Sequence, residues 1–179
     1  VTIGEVLKAI GYRTYWSGKH HGGENPVNMG FDHYYGLKGG ACNYFNPGNQ
    51  RNGEPLPAQK GKRIWCLDSV EIRSFTPPSD FYTTDYFTNK AIDWLKEENK
   101  SEAPFFLFLA YTAPHDPLMA WPEDIQKYLG SYKDGYSAIR KRRFEKLIQS
   151  GIIDSRYKLS PPTHRNWDDL TESEKLVQD

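Results

Sequence analysis

The sequence predicts an α/β fold with a mostly parallel sheet, and two helix-to-strand alternations indicate it. A helical pattern at the start of the chain leads directly into a β-branched and aromatic run at residues 12–18. A second helical pattern begins near residue 83, and the unbroken apolar run FFLFLAY follows at residues 105–111. Because strands of a parallel sheet covered by helices are apolar throughout, this run predicts a strand buried on both faces.

Residues 2–11 carry the signals of a complete short helix. Thr2 and Glu5 have the spacing of a capping box, in which each side chain binds the other residue's backbone amide. Gly11 is placed as the left-handed residue that ends the helix. Three residues supply an apolar face: Val6, Leu7 and Ile10.

Residues 19–80 are rich in Gly, Pro and Asn and show little periodicity, so they predict a long irregular excursion. Long ordered loops in compact domains are usually functional or border a site. The second helix then begins at Thr83 or Thr84, with Asp85 in its first turn and Lys96 in its last.

Residues 122–179, which follow the rigid polar turn TAPHDP, predict helices and turns. The pattern at residues 137–151 is helical, and its basic cluster at residues 140–143 is most simply the solvated face of that helix. Attraction of an anionic substrate is the alternative. Thr171 and Glu174 have the spacing of a second capping box.

Composition excludes two classes of partner. Lys and Arg total 23 and Asp and Glu total 23, so the net charge of zero offers no footprint for nucleic acid or an anionic membrane surface. No apolar run approaches the roughly 20 residues that span a bilayer. The chain opens on Val1 inside a helical pattern, so we expect an excerpt of a longer protein, whose targeting it does not reveal.

Two cysteines, Cys42 and Cys66, lack the tight C-x-x-C spacing of a metal site. The simplest interpretation is a buried thiol at each position or a single disulfide between them. Neither residue lies in a context that would activate it as a nucleophile.

Ligands of open α/β sheets bind beyond the carboxyl ends of the strands, and two predicted strand ends deliver polar residues. The first is followed by Lys19 and His21, and the second by His115. If the backbone stays extended past Gly18, Lys19 and His21 point to the same side and His20 points away. Structural roles are the simpler interpretation for His20 and for the remaining histidines, His33 and His164.

One lysine and two histidines suit a tetrahedral oxyanion better than a metal. Nothing near His21 and His115 completes a usual zinc set, and the ammonium of Lys19 would oppose a cation. A lysine charge and imidazole hydrogen bonds would instead stabilise the oxygens of an anion as charge develops.

Five stretches, in order along nearly the whole chain, resemble the sulfatase family. The motif Gly-Lys-x-His-x-Gly stands at residues 18–23 and MGFDHYYG at 29–36. YTTDYFTNKAIDWL at 82–95 and PFFLFLAYTAPHDP at 104–117 follow, and residues 132–153 resemble the next segment. The resemblance implies a partial α/β/α sandwich of the alkaline-phosphatase-like fold. It also implies that residues 1–179 are an internal fragment of one catalytic domain, with 38–80 as a loop insertion on the substrate side.

The resemblance also implies roles for the three candidate residues. In sulfatases the lysine and histidine of Gly-Lys-x-His contact the catalytic formylglycine and the sulfate, and the Pro-His histidine binds a sulfate oxygen. Lys19, His21 and His115 are therefore the expected catalytic residues, with Lys19 and His115 also binding substrate. Family members usually have tryptophan in place of His20 and often leucine in place of Gly22.

Other family motifs are missing from this chain. The formylglycine precursor Cys/Ser-x-Pro-Ser/Ala-Arg matches neither Cys42 nor Cys66. The tandem acids Asp168 and Asp169 lie in a helix-capping context typical of solvated residues rather than metal ligands. The resemblance thus implies Ca²⁺ or Mg²⁺ and formylglycine in the full-length protein, no metal ligands in this chain, and no activity of the chain alone.

The implied function is hydrolysis of an aryl sulfate or a sulfated carbohydrate, and the implied locations are periplasmic, secreted or lysosomal. In that scheme Lys19 and His115 neutralise sulfate oxygens, and His21 orients or deprotonates the hydrated aldehyde. Two alternatives stay open: a phosphodiesterase or phosphonate hydrolase of the same superfamily, and a non-catalytic binder of sulfated glycans. Four residues of 38–80 are candidates to contact a sugar or aryl group, with loop packing as the simpler interpretation: Tyr44, Phe45, Arg63 and Trp65.

Overall fold

The computed structural model describes residues 1–47, 63–72, 75, 77–99, 101–116 and 118–178. Residues 48–62, 73, 74 and 76 of the insertion predicted at 38–80, and Pro117 of the Pro-His-x-Pro motif, lie outside the described residues. The chain divides into two compact units, Val1–Met119 and Ala120–Asp179.

The first unit is built around a five-stranded sheet with the strand order β4-β3-β2-β1-β5. Strand β1 is parallel to β2 and β5, whereas β3 and β4 are antiparallel to their neighbours. The predicted α/β class is therefore confirmed, with a mixed sheet that is parallel from β2 to β5 and antiparallel from β2 to β4. In chain order the helices and strands are α1 (Ile3–Ala9), β1 (Arg13–Gly18), a 3-10 helix (Pro26–Met29), β2 (His33–Leu37), β3 (Trp65–Leu67), β4 (Val70–Ile72), α2 (Thr83–Glu97) and β5 (Phe105–Ala110).

Helix α1 begins and ends as its sequence predicts. The Thr2 backbone amide donates to Glu5 at 2.7 Å, and the Glu5 amide donates to the Thr2 hydroxyl at 3.2 Å. Gly11 adopts the left-handed conformation with φ of 88°. The expected apolar face is only partly buried, because the close contact of Gly4 with Phe31 turns that side of the helix inward. Val6 and Ile10 consequently stay 50% and 66% exposed.

Residues 19–80 are less irregular than the sequence predicts, and this expectation is wrong. Strand β2 lies inside this stretch and pairs with β1 in the register Tyr15↔His33. The hairpin of β3 and β4 extends the sheet beyond β2. Strands of three to five residues are too short to show a periodicity, and pairing with β1 rather than local pattern specifies β2.

The apolar run at 105–111 forms β5, but the expectation that it is buried on both faces is wrong. Strand β5 lies at the edge of the described sheet and pairs there with β1 alone. Phe105 and Phe108 are accordingly 48% and 43% exposed. Several apolar side chains of the run are therefore not covered by the described residues of the first unit.

Helices cover both faces of the sheet, as a doubly covered α/β layer requires. On one face the Ser17 hydroxyl donates to the Phe87 carbonyl of α2 at 2.7 Å, and Tyr15 stacks on Trp94. On the other face Trp16 packs with Phe31, which contacts α1. Two buried clusters result: Leu37, Cys42, Trp65, Phe81 and Phe87 beneath α2, and Trp16, Phe31, Tyr34 and Cys66 opposite.

The second unit consists of helices and turns. Its helices are α3 (Pro122–Gln126), α4 (Gly135–Gln149) and α5 (Glu172–Gln178), with a 3-10 helix at Trp167–Asp169. The predicted capping box forms before α5, where the Thr171 amide donates to Glu174 at 2.8 Å and the Glu174 amide donates to the Thr171 hydroxyl at 3.3 Å. Among the described residues, no helix is long and apolar enough to cross a membrane.

Candidate oxyanion-binding site

The two strand ends that carry the candidate residues are neighbours in the sheet. Parallel pairing brings Gly18 of β1 opposite Ala110 of β5, and the Lys19 amide donates to the Ala110 carbonyl at 2.7 Å. Gly18 has a φ of 132°, and a Cβ there would lie 1.9 Å from the Ala110 oxygen. Only glycine at residue 18 therefore allows β1 and β5 to end side by side. Lys19 follows directly after this point.

Beyond Gly18 the chain crosses from β5 to the end of β2. The His20 amide donates to the Leu37 carbonyl at 2.8 Å, and the His21 amide donates to the Lys38 carbonyl at 3.1 Å. The condition of an extended backbone past Gly18 is not met, because His21 has a φ of 60°. For a residue with a Cβ, this left-handed conformation costs about 1 kcal/mol or more.

His20 packs inward rather than into an open site. Its ring meets Trp16 edge-on with the centroids 4.7 Å apart, and burial lowers its pKa from the ordinary value. A Cβ at residue 22 would lie 2.4 Å from the His20 Nε2 atom. Gly22 therefore leaves the space that the His20 ring fills, so the two departures from the family pattern are structurally linked.

Lys19 and Lys38 both follow strand ends at this edge, but they differ in their partners. The Lys38 ammonium lies 2.7 Å from the Glu71 carboxylate. Within the described ranges, no carboxylate forms an ion pair with Lys19, which is half-buried. Lys19 therefore keeps its charge available to an incoming anion.

His115 lies in the turn after β5 with its backbone fixed by two contacts. Its amide donates to the Thr112 carbonyl at 3.0 Å, and the buried Tyr44 hydroxyl donates to its carbonyl. The Nδ1 atom lies 2.7 Å from the Asp116 carbonyl. Because a carbonyl only accepts, Nδ1 carries a proton, and donation from Nε2 to an anion requires the doubly protonated ring.

The segment at residues 40–44, part of the loop insertion predicted on the substrate side, joins the two strand ends. The His21 ring lies against the backbone of Gly40, and Tyr44 holds the His115 turn. Cys42 is buried between them, where Lys19 is close enough to influence its pKa. No periodicity marks this segment, so the tandem glycines at residues 39 and 40, where it begins, are the available sequence signal.

The aromatic loop residues that were candidates to contact a ligand mainly pack within the unit, as the simpler interpretation of loop packing predicts. Tyr44 and Trp65 are each 1% exposed, so both pack inside the unit and neither is open to a ligand. Phe45 is half-buried, and its ring lies 4.9 Å from that of Tyr82.

Both cysteines are free and buried, which confirms the interpretation as buried thiols and excludes the disulfide. Burial raises the pKa of Cys42 to about 12, against the opposing influence of Thr112, Arg63 and Lys19. Burial likewise raises the pKa of Cys66 to about 11. Since the thiolate is the reactive form, neither cysteine is suited to act as a nucleophile.

The remaining polar candidates have contacts of their own. His33 Nδ1 lies 3.1 Å from Asp68, and His164 meets Tyr136 edge-on at 4.3 Å within the second unit. Asp168 and Asp169 are exposed on the 3-10 helix. In the part of the chain that the structure describes, no group of three His, Cys, Asp or Glu residues could hold a metal ion.

Comparison with known proteins agrees with the resemblance. The model of the family described as Sulfatase matches residues 1–172. An arylsulfatase of Klebsiella aerogenes is 33% identical over 178 residues, which are 95% of this chain and 36% of that protein. An uncharacterized sulfatase of Schizosaccharomyces pombe is 35% identical over 180 residues, 96% of this chain and 32% of that protein. The chain thus spans about a third of the length of these curated relatives.

Solved structures show the same likeness. The crystal structure of Ps i-CgsB in complex with k-i-k-neocarrahexaose has a TM-score of 0.54 and 29% identity, over 70% of this chain and 29% of that one. The structure of BT4656 with D-glucosamine-2-N,6-O-disulfate has a TM-score of 0.51 and 24% identity, over 72% of this chain and 22% of that one. The second likeness shows the fold alone.

Proposed function

This chain belongs to the sulfatase family, and on that premise we propose that the full-length protein hydrolyses sulfate esters with Lys19, His21 and His115 in its active site. The observation that carries the proposal is the pairing of Gly18 with Ala110, which brings the ends of β1 and β5 together. Lys19 and the His115 turn leave the sheet at that point, where ligands of α/β sheets bind.

Each residue has a role that its surroundings support. The ammonium of Lys19, free of a carboxylate partner among the described residues, neutralises one sulfate oxygen. His115 donates from Nε2 to a second oxygen when its ring is doubly protonated. His21 is exposed in a strained left-handed conformation, and such conformations concentrate at functional sites. We assign His21 to orienting the attacking group or accepting its proton.

The family's formylglycine and divalent cation would supply the nucleophile and additional charge neutralisation. The described residues do not fit a metal site, because they hold no cluster of three suitable ligands. Cys42 and Cys66 are also too deeply buried to provide the nucleophile. This chain therefore contributes the anion-binding half of the site, and its own residues bind, orient and stabilise charge.

The proposed substrate class is a small aryl sulfate or a sulfated carbohydrate. The similarity to a protein described as an arylsulfatase supports the former. The likeness at 29% identity to a protein crystallised with a neocarrahexaose supports the latter. Both classes present the same tetrahedral anion to Lys19 and His115.

The test is the rate of sulfate release from an aryl sulfate by the full-length protein, beside the matched aryl phosphate. We expect the sulfate ester to be preferred. Lys19→Ala, His21→Ala and His115→Ala should each lower the rate by about 10²-fold, as does loss of one oxyanion donor. Unchanged rates in all three variants would refute the site assignment, and preference for the phosphate ester would favour the phosphohydrolase alternative.

A further inference from the structure

Helix α4 of the second unit borders a cleft that the proposed reaction does not use. Its volume is about 580 Å³, within the range of roughly 300–1,000 Å³ that small-molecule sites occupy. Six residues line it: Tyr136, Ile139, Arg140, Arg143, His164 and Leu170. Two cations, two rings and two aliphatic side chains thus meet in one concave surface, with no carboxylate among them.

The apolar and aromatic part of the cleft is held in place by contacts within the unit. The Tyr136 hydroxyl donates to the Arg165 carbonyl, and the His164 ring meets the Tyr136 ring edge-on at 4.3 Å. Ile139 and Leu170 are half-buried beside them. Ring faces and aliphatic surface can pack against the C–H faces of a sugar. A bare inorganic anion has no apolar face that could make these contacts.

The charges of α4 are divided between the cleft and the solvent. Arg142 lies 2.8 Å from Asp134, and Lys141 lies 3.9 Å from Glu145. Arg140 instead donates to the carbonyl and hydroxyl of Ser160, at 2.8 and 2.6 Å. Across the described ranges, neither Arg140 nor Arg143 has a carboxylate partner. Of the four basic residues at 140–143, the two that line the cleft are therefore the ones that lack a carboxylate partner among the described residues.

We propose that this cleft is a second anion-binding site, which takes a sulfated saccharide with its sulfate on Arg143 and Arg140 and its ring against Tyr136 and His164. Guanidinium groups match the planar pairs of oxygens that a sulfate presents. The choice of a sulfated occupant rests on the proposed function, whereas the site itself rests on the cleft and its charges. The basic cluster is accordingly more than a solvated helix face.

The test is binding rather than turnover, measured by calorimetry at low ionic strength with the 179-residue chain and a sulfated heparin hexasaccharide. We expect a site whose affinity falls about tenfold in Arg143→Gln, a loss of about 1.4 kcal/mol. Arg142→Gln is the matched control on the same helix, and it should change the affinity by less than about twofold because Asp134 already compensates that charge. Circular dichroism verifies that both variants fold.

Three further arms separate binding in this cleft from diffuse charge attraction and from binding at Lys19. The desulfated hexasaccharide, which keeps its carboxylates, should bind at least about tenfold more weakly, and inorganic sulfate should compete poorly. The titrations are repeated in the Lys19→Ala background, where binding should persist and should still fall about tenfold in Arg143→Gln. Equal losses in Arg142→Gln and Arg143→Gln, equal binding of the desulfated sugar, or loss of binding in Lys19→Ala would each overturn the proposal. Absence of sulfatase turnover by the full-length protein would count against the proposed function and leave this binding result intact.

Discussion

At the scale of single residues, the site depends on backbone contacts that tolerate no side chain. Because Gly18 has no side chain, the carbonyl oxygen of Ala110 can lie where a Cβ atom of residue 18 would otherwise collide with it. That contact fixes where Lys19 leaves the sheet, and the amide of Lys19 then holds the end of β5. The catalytic hypothesis therefore depends on a glycine that carries no chemistry itself.

Replacing Gly18 with alanine should lower the free energy of unfolding by about 2 kcal/mol or more, because the added Cβ collides with the Ala110 oxygen and φ is positive. Urea titration of the 179-residue chain measures the change. Gly23→Ala is the control, since no atom of the described residues beyond its chain neighbours lies within 4 Å of a Cβ at that position, and its effect should be within about 0.5 kcal/mol. Similar losses in both variants would contradict the role of Gly18 at the strand join.

At the scale of elements, both helix-to-strand alternations could be read from sequence. The capping box of α1 and the helical spacing of α2 are local signals, and local signals can be recognised in the sequence before the fold is known. Strand β2 could not be predicted, because its five residues are specified by pairing with β1. The exposure of β5 could not be predicted either, since strand order is decided by long-range pairing and a run such as FFLFLAY is the same at an edge and in a centre.

The end of α2 is tied to the sheet by the carboxylate of Glu98. Arg13 lies 3.1 Å from it, the Tyr15 hydroxyl donates to it, and His33 lies 3.7 Å away. The hydrogen bond from Tyr15 holds the pKa of Glu98 below its usual 4.5. Arg13 also lowers this pKa, whereas burial raises it. Since the pKa is lowered on folding, this contribution to stability is present above about pH 4.5 and is lost as the pH falls through the lower folded value.

Glu98→Gln should therefore reduce the free energy of unfolding by about 1–2 kcal/mol at pH 7. The difference from wild type should shrink as the pH is lowered from 7 to 3, because below the usual pKa of 4.5 the unfolded chain gains the proton and the contribution of the ionised carboxylate falls. Urea titrations at the two pH values test this, with the exposed Glu97→Gln as control. A deficit of Glu98→Gln that is as large at pH 3 as at pH 7 would contradict the assigned role of the carboxylate.

At the scale of the whole molecule, the sequence predicted which edge of the sheet carries the proposed anion-binding residues, and it predicted only part of the proposed active site. The residue types and order of Lys19, His21 and His115 pointed to the strand ends. The contacts that residues 40–44 make with His21 and with the His115 turn emerge only from the packed structure, as does the left-handed backbone of His21, because each depends on contacts between distant parts of the chain. The cleft of the second unit was likewise visible in sequence only as a run of basic residues.

The 179-residue chain alone should not hydrolyse an aryl sulfate, and it should not bind Ca²⁺ specifically. The reason is that its described residues supply charge stabilisation without a reactive thiol or a cluster of three metal ligands. Sulfate release and calorimetry with Ca²⁺ measure the two expectations. Turnover by the chain, or tight stoichiometric Ca²⁺ binding, would contradict this division of the site.

The most direct measurement compares two lysines at the same sheet edge in the full-length protein. Lys19→Ala removes an ammonium without a carboxylate partner among the described residues, whereas Lys38→Ala removes one that Glu71 already neutralises. We expect sulfate release from an aryl sulfate to fall about 10²-fold in Lys19→Ala and by less than about fivefold in Lys38→Ala. Equal rates in Lys19→Ala and wild type, or an equal loss in both variants, would contradict the assignment of Lys19 to the sulfate.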